Sequence, residues 1–234
     1  MSQCVTLSLY RFDRIRDRMW AFGQMGLARR PLSRTPGLRF WKLCGSGTGE
    51  GFTPIPNTAV WAILAVWDNA EAADRTGKVF DRFAARASEN WTVRLVPTSA
   101  RGLWSRKTPF DVTPDTTANS NPVAALTRAT IRPRKLLRFW GRSPGISRVI
   151  GNDPEVLFKI GIGEVPWLHQ VTFSIWPDAD AMARFARRGP HAEAIRAVRD
   201  EGWFSEELYA RFRVLGEVGT WDGRSPLTPQ QEAA

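Results

Sequence analysis

Two spacings of apolar residues alternate along this chain. Val5–Phe12, Leu38–Gly45, Thr58–Trp67 and Trp91–Trp104 carry them every second position or in short runs, which predicts strands. Arg16–Arg29 and Ala70–Ala87 carry them at helical spacing. In the first of these helices Met19, Phe22 and Leu27 fall near one face, and Pro31 ends it. In the second the stripe is Ala73, Val79, Phe80 and Phe83. Pro97 marks its strand as an edge or a bulge. The plan then repeats. Val123–Arg132, Val156–Val165, Leu168–Trp176 and Tyr209–Trp221 read as strands and Lys135–Arg142 as a helix. Asp178–Gly202 reads as helical segments broken at Gly189-Pro190.

The repetition extends to details. Trp67-Asp68-Asn69 corresponds to Trp176-Pro177-Asp178, and Arg94 to Gly102-Leu103-Trp104 has the spacing of Arg211 to Gly219-Thr220-Trp221. Upstream, Trp41-Lys42-Leu43-Cys44-Gly45 answers Phe158-Lys159-Ile160-Gly161. Such a duplication predicts two similar units packed on each other. The expected organisation is a first half over 1–104, a polar linker over 105–122, a second half over 123–221 and a loose tail over 222–234. A βαββαβ half builds a four-stranded sheet with its helices on one face, the ferredoxin-like plan. The expected fold is therefore α+β: two tandem ferredoxin-like halves stacking their open sheet faces as a fused dimeric α/β-barrel.

Composition narrows the class. With 43% hydrophobic residues the chain can bury a sizeable core. Cys4 and Cys44 are too few for a disulfide framework and read as reduced packing thiols in a cytoplasmic protein. The chain contains no apolar run long enough for a membrane span, and Ser2–Tyr10 reads as a first strand, not as a signal peptide. A formal net charge of +10 suits nucleic acid, an anionic membrane surface or an acidic protein. The arginines are scattered and no nucleic-acid-binding motif has its proper spacing, so no nucleic-acid partner is expected. Eleven tryptophans are a surplus of large rings that suits a cavity for an apolar ligand.

Both histidines lie in the second half. His191 follows Gly189-Pro190 at the start of a helix whose apolar stripe is Ala194, Ile195 and Val198. A helix N-terminus and burial both favour neutral imidazole, the metal-ligating form; a capping or core histidine is the ordinary alternative. His169 shares one strand face with Trp167, Val171, Phe173 and Ile175, where the first half has Thr58, Val60, Ala62, Leu64 and Val66. That face is expected to meet the helices, with His169 and His191 on opposing walls of one layer. A hydrogen-bonded strand histidine is the alternative. Gly45-Ser46-Gly47-Thr48-Gly49 lacks the Lys-Ser/Thr pair of a phosphate loop and reads as a hairpin. With no zinc cage, nucleophile elbow or carboxylate cluster in view, a redox cofactor held by one histidine is the strongest catalytic option.

The stretch Gln170-Val171-Thr172-Phe173-Ser174-Ile175-Trp176-Pro177 resembles the spheroidene monooxygenase family, the acyclic-carotenoid ketolases of purple bacteria. So do Gly189-Pro190-His191, the run Gly202–Phe212 and the opening Leu38–Gly47. The resemblance implies a haem-containing oxygenase that is not a cytochrome P450. It would introduce a keto group at C-2 of spheroidene and related acyclic carotenoids, through 2-hydroxylation and a second oxidation, with dioxygen and reduced ferredoxin. On that basis His191 is the candidate proximal ligand of the haem iron and His169 the candidate catalytic residue on the distal side. Arg187 and Arg188 are candidates for pairing with the haem propionates. Trp167, Phe173 and Trp203 are candidates for the substrate cavity, with core packing the alternative for each. The insoluble substrate implies peripheral contact with lipid on the cytoplasmic side of the inner or photosynthetic membrane. Two other functions fit the same residues: non-catalytic haem binding, and cofactor-free carriage of a carotenoid or other lipid.

Overall fold

The computed structural model describes residues 2–49, 51, 53–113, 122–141, 155–187 and 202–228. Its eight strands are β1 (Cys4–Arg11), β2 (Leu38–Gly47), β3 (Pro56–Trp67), β4 (Glu89–Gly102), β5 (Val123–Ile131), β6 (Phe158–Gly163), β7 (His169–Trp176) and β8 (Phe204–Gly219). They close into one antiparallel barrel in the order β1-β3-β2-β6-β7-β5-β8-β4. The helices are short and lie outside the barrel: α1 (Ile15–Leu27), α2 (Arg29–Leu32), α3 (Ala70–Asp74), α4 (Lys78–Arg86) and α5 (Ala179–Arg187), with a further helical stretch over 133–141.

This architecture corrects the expected α+β plan of two ferredoxin-like halves. The described chain is mostly sheet, and no two sheet faces stack. Instead β4 runs antiparallel to β8 from Trp91↔Gly219 to Gly102↔Leu208, and β2 meets β6 through Gly45↔Gly163 and Ser46↔Ile162. The physical reason lies in the strand edges. A stacked pair of sheets leaves four edges of unpaired N–H and C=O groups, whereas closure pairs them all.

Alternation decides what fills the barrel. Val60, Ala62, Leu64 and Val66 of β3 and Val171, Phe173 and Ile175 of β7 point inward, to meet Leu7 and Leu9 of β1, Trp91 of β4 and Phe212 of β8. The alternate residues of β3, Trp61, Ile63, Ala65 and Trp67, point outward and are covered with Phe80 and Phe83 of α4. Trp176 is likewise covered by Ala181 and Met182 of α5. The His169 face therefore lines the barrel interior and does not meet the described helices, whereas the opposing wall expected at His191 lies outside the described residues.

Two helices differ from the sequence pattern. The expected Ala70–Ala87 helix is divided into α3 and α4, because Thr76 (φ 30°) and Gly77 (φ 149°) leave the helical region. Asn69 starts α3 by accepting a hydrogen bond from the Ala72 amide at 2.9 Å. On α1 the apolar residues Met19, Phe22 and Leu27 are largely exposed, and the helix rests on the barrel through Trp20, Ala21, Met25 and Asp17, the last paired with Arg86.

Candidate functional site

The short β2–β6 seam is built by glycine. A Cβ on Gly51 (φ +89°) would lie 1.8 Å from the Gly161 carbonyl oxygen, and one on Gly163 would lie 2.3 Å from that of His169. The backbones approach so closely that only glycine fits. Thr48 and Thr53 join the hairpin between β2 and β3 through their hydroxyls at 2.5 Å, and the Ser46 hydroxyl donates to the Gly161 carbonyl at 2.9 Å. The glycine-rich segment is thus the hairpin its sequence predicts.

On the outer side of this seam lies a cleft of about 320 Å³, within the range that holds small apolar ligands. Its walls include Phe22 and Met25 of α1, Trp61 of β3, Trp140 and Trp167. The indole N–H groups are occupied by backbone carbonyls, Trp61 to Thr58 at 2.8 Å, Trp140 to Trp167 at 3.2 Å and Trp167 to Pro54 at 2.8 Å. The ring faces are thereby left to line the cleft. Trp167 is held at φ 64°, an uncommon conformation for a bulky residue. Among the described lining residues Glu164 alone is ionisable.

Glu164 joins the cleft to a buried charge network at the end of the barrel. Lys42 Nζ lies 2.5 Å from Glu164 Oε2, and Trp104 Nε1 donates to Glu164 Oε1 at 2.5 Å. Lys42 also donates to the Ser105 hydroxyl at 2.6 Å. Arg128, only 1% exposed, donates to Glu206 and lies 3.9 Å from Glu164 Oε1. Glu206 accepts further bonds from the backbone N–H groups of Ser105 (2.9 Å) and Arg106 (2.7 Å). Burial raises the Glu206 pKa, but those two amides and the Arg128 guanidinium outweigh it and hold the carboxyl below its usual range. The network balances two cations against two carboxylates.

His169 completes this cluster. Its Nδ1 sits 3.9 Å from Glu164 Oε1, too far for a hydrogen bond, and is buried without a partner among the described residues. Arg128 Nε is in the same condition. Burial lowers the His169 pKa; Glu164 opposes that, while Arg128 and Lys42 add to it. The imidazole is therefore neutral around pH 7 and able to accept or pass a proton. A buried thiol, Cys44, lies beside the network with its pKa pushed up by burial and so remains protonated.

The residues singled out in the sequence are distributed unevenly. Trp167 lines the cleft and His169 lies behind it, linked through Glu164. Phe173 is wholly buried in the barrel interior against Phe158, and Trp203 is buried against Phe139. His191 and Arg188 lie outside the described residues, as does the side chain of Arg187. Lys42, Glu164, Arg128 and Glu206 were not singled out. Two of them carried a readable signal: Arg128 continues the inward series Ala124, Leu126, and Lys42 stands between Phe40 and Cys44. A charge inside an apolar alternation has to find a buried partner.

A haem needs an axial donor and a slot for its planar ring. Among the described residues the cleft wall contains no histidine, and His169 lies behind it beside Glu164. No group of three or more histidine, cysteine or carboxylate ligands occurs among the described residues. The described residues thus do not form a haem pocket by themselves.

Comparison with known proteins sets this barrel among the monooxygenases, a class of oxidoreductase. The chain belongs to the spheroidene monooxygenase family. It is 54% identical to spheroidene monooxygenase of Rhodobacter capsulatus, covering 95% of this chain and 94% of that protein. To the Cereibacter sphaeroides protein of the same name it is 52% identical, over 96% of this chain and 71% of the relative. No protein-family model matches. The crystal structure of an aldoxime dehydratase shares the fold, with a TM-score of 0.57 at 12% identity over 91% of this chain and 82% of that one.

Proposed function

We propose that this chain oxygenates an acyclic carotenoid, spheroidene or a close relative, at C-2 through hydroxylation and a second oxidation to the ketone. The observation that carries the reading is identity above one half, along nearly the whole chain, to two spheroidene monooxygenases. The cleft supports it. A volume of about 320 Å³ walled by Phe22, Trp61, Trp140 and Trp167 suits one end of a polyene, and C-2 lies near an end.

In this reading the aromatic walls bind and orient the terminal segment and exclude water. His169, behind the cleft wall, accepts or passes a proton, and Lys42 and Arg128 hold the Glu164 carboxylate in place at the inner end of the cleft. Haem is the proposed oxygen-activating group, with His191 as its proximal ligand and Arg187 and Arg188 toward its propionates. When bound, it would supply dioxygen activation with electrons from reduced ferredoxin. The proposed place of action is the cytoplasmic side of the inner or photosynthetic membrane, by peripheral contact. No helix among the described residues is long and apolar enough to cross a bilayer.

The test is the pyridine haemochrome and visible spectrum of the reconstituted protein and of His191→Ala and His169→Ala. A Soret band lost in His191→Ala and kept in His169→Ala is the expected result. Absence of haem from the reconstituted wild type would remove the cofactor assignment, and loss in His169→Ala alone would exchange the two roles.

A further inference from the structure

From the pattern of exposed apolar and basic side chains we infer that α1 and the rim of the cleft form one face that inserts into an anionic bilayer, so that the cleft opens directly into lipid. The inference rests on the proposed polyene substrate for its purpose, though not for its evidence.

The evidence begins with α1. Ile15, Met19 and Phe22 recur at helical spacing and are 70%, 63% and 65% exposed. The helix seats itself on the barrel by its other side, through Trp20, Ala21 and Asp17. Beyond its inward apolar side, this helix thus carries a second apolar stripe that faces out. The stripe also runs into the cleft, because Phe22 packs on Trp61 and lines the cavity with Met25. Across the mouth, Trp167 is 48% exposed and Ile55 64% exposed. Large exposed side chains gathered around one opening mark an interaction site, whereas scattered ones do not.

Charge identifies the partner. Residues 14–34 contain six arginines and one acidic residue, Asp17, which is buried and paired with Arg86. Arg14, Arg16, Arg29 and Arg30 are exposed at the two ends of α1, and Asp13 is the exposed carboxylate adjoining them in sequence. An apolar stripe between clusters of arginine suits acyl chains between anionic headgroups. An acidic protein would satisfy the arginines but leave Ile15, Met19 and Phe22 against charge. The cleft agrees: it takes an end of a long polyene, and the remainder of the molecule stays in an apolar medium if the mouth faces lipid.

Co-sedimentation of the full chain with phosphatidylcholine vesicles, with and without phosphatidylglycerol, tests the inference. The expected result is binding that requires phosphatidylglycerol and weakens with salt. Ile15→Asp/Met19→Asp should lose most of it. Both positions lie in the first turns of α1, where an acidic residue suits the helix dipole, so the thermal transition should be unchanged. Replacing Arg14, Arg16 and Arg30 by alanine should weaken partitioning about fivefold for each arginine removed. Equal binding to the two vesicle types, or full binding by Ile15→Asp/Met19→Asp, would overturn the inference. So would an arginine variant that keeps vesicle binding but loses ferredoxin-driven conversion, which would make the face a protein dock. Failure of the proposed activity is seen separately, as no conversion of detergent-dispersed spheroidene by a wild type that still binds vesicles.

Discussion

A carboxylate that faces an apolar cleft on one side and two buried cations on the other is held by its partners. Replacing Glu164 by Gln keeps an acceptor for the Trp104 indole but removes the charge that offsets Lys42 and Arg128. Breaking one side of a buried ion network costs about 3 kcal/mol, and the same loss is expected in chemical denaturation of Glu164→Gln. His169 sets a pH dependence of definite sign. Its folded pKa lies below the ordinary 6.5, chiefly through burial, so on acidification the unfolded chain takes up that proton first. The associated stability is full above the ordinary imidazole range and falls as pH is lowered through it toward the folded value. The stability of wild type relative to His169→Gln should therefore fall on acidification, and parallel curves would contradict the assignment. At this scale the sequence was half legible. His169 stands out because the other half has valine at its place. Glu164 does not, because it lies in a turn outside any alternation and acquires its role only when β2, β5 and β6 come together.

Among the elements, the seam between β2 and β6 depends on glycines that look like ordinary loop residues. Gly51→Ala would put a methyl group against the Gly161 carbonyl and hold alanine at φ +89°. A destabilisation of at least about 2 kcal/mol is expected from strain of this kind, measurable as a lower denaturation midpoint. A substitution without effect would mean that the seam is looser than described. Strand positions were legible because alternation survives in β3 and β7 almost without exception. The side on which α1 buries itself was not. Helical spacing shows that Met19 and Phe22 share a face but not which way the face points, and here the inward positions are held by Trp20, Ala21 and the Asp17–Arg86 ion pair.

For the whole molecule, the closure of the strands into one barrel was not legible in the sequence. Inward and outward residues alternate alike in a stacked pair of sheets and in a closed barrel. What distinguishes them is the pairing of strand edges, made by backbone groups that every residue carries, and β4–β8 and β2–β6 pairing decides for closure. The cleft lies on the outer seam, and the proposed substrate would enter it there, beside the face proposed to meet lipid. The measurement that tests this account most directly is conversion of spheroidene by the purified, reconstituted protein under ¹⁸O₂ with reduced ferredoxin. The account expects a 2-hydroxylated carotenoid carrying oxygen from the gas, followed by the ketone, and slower conversion when Trp167 is replaced by alanine. Spheroidene returned unchanged by haem-loaded protein, or a hydroxyl oxygen drawn from water, would contradict it.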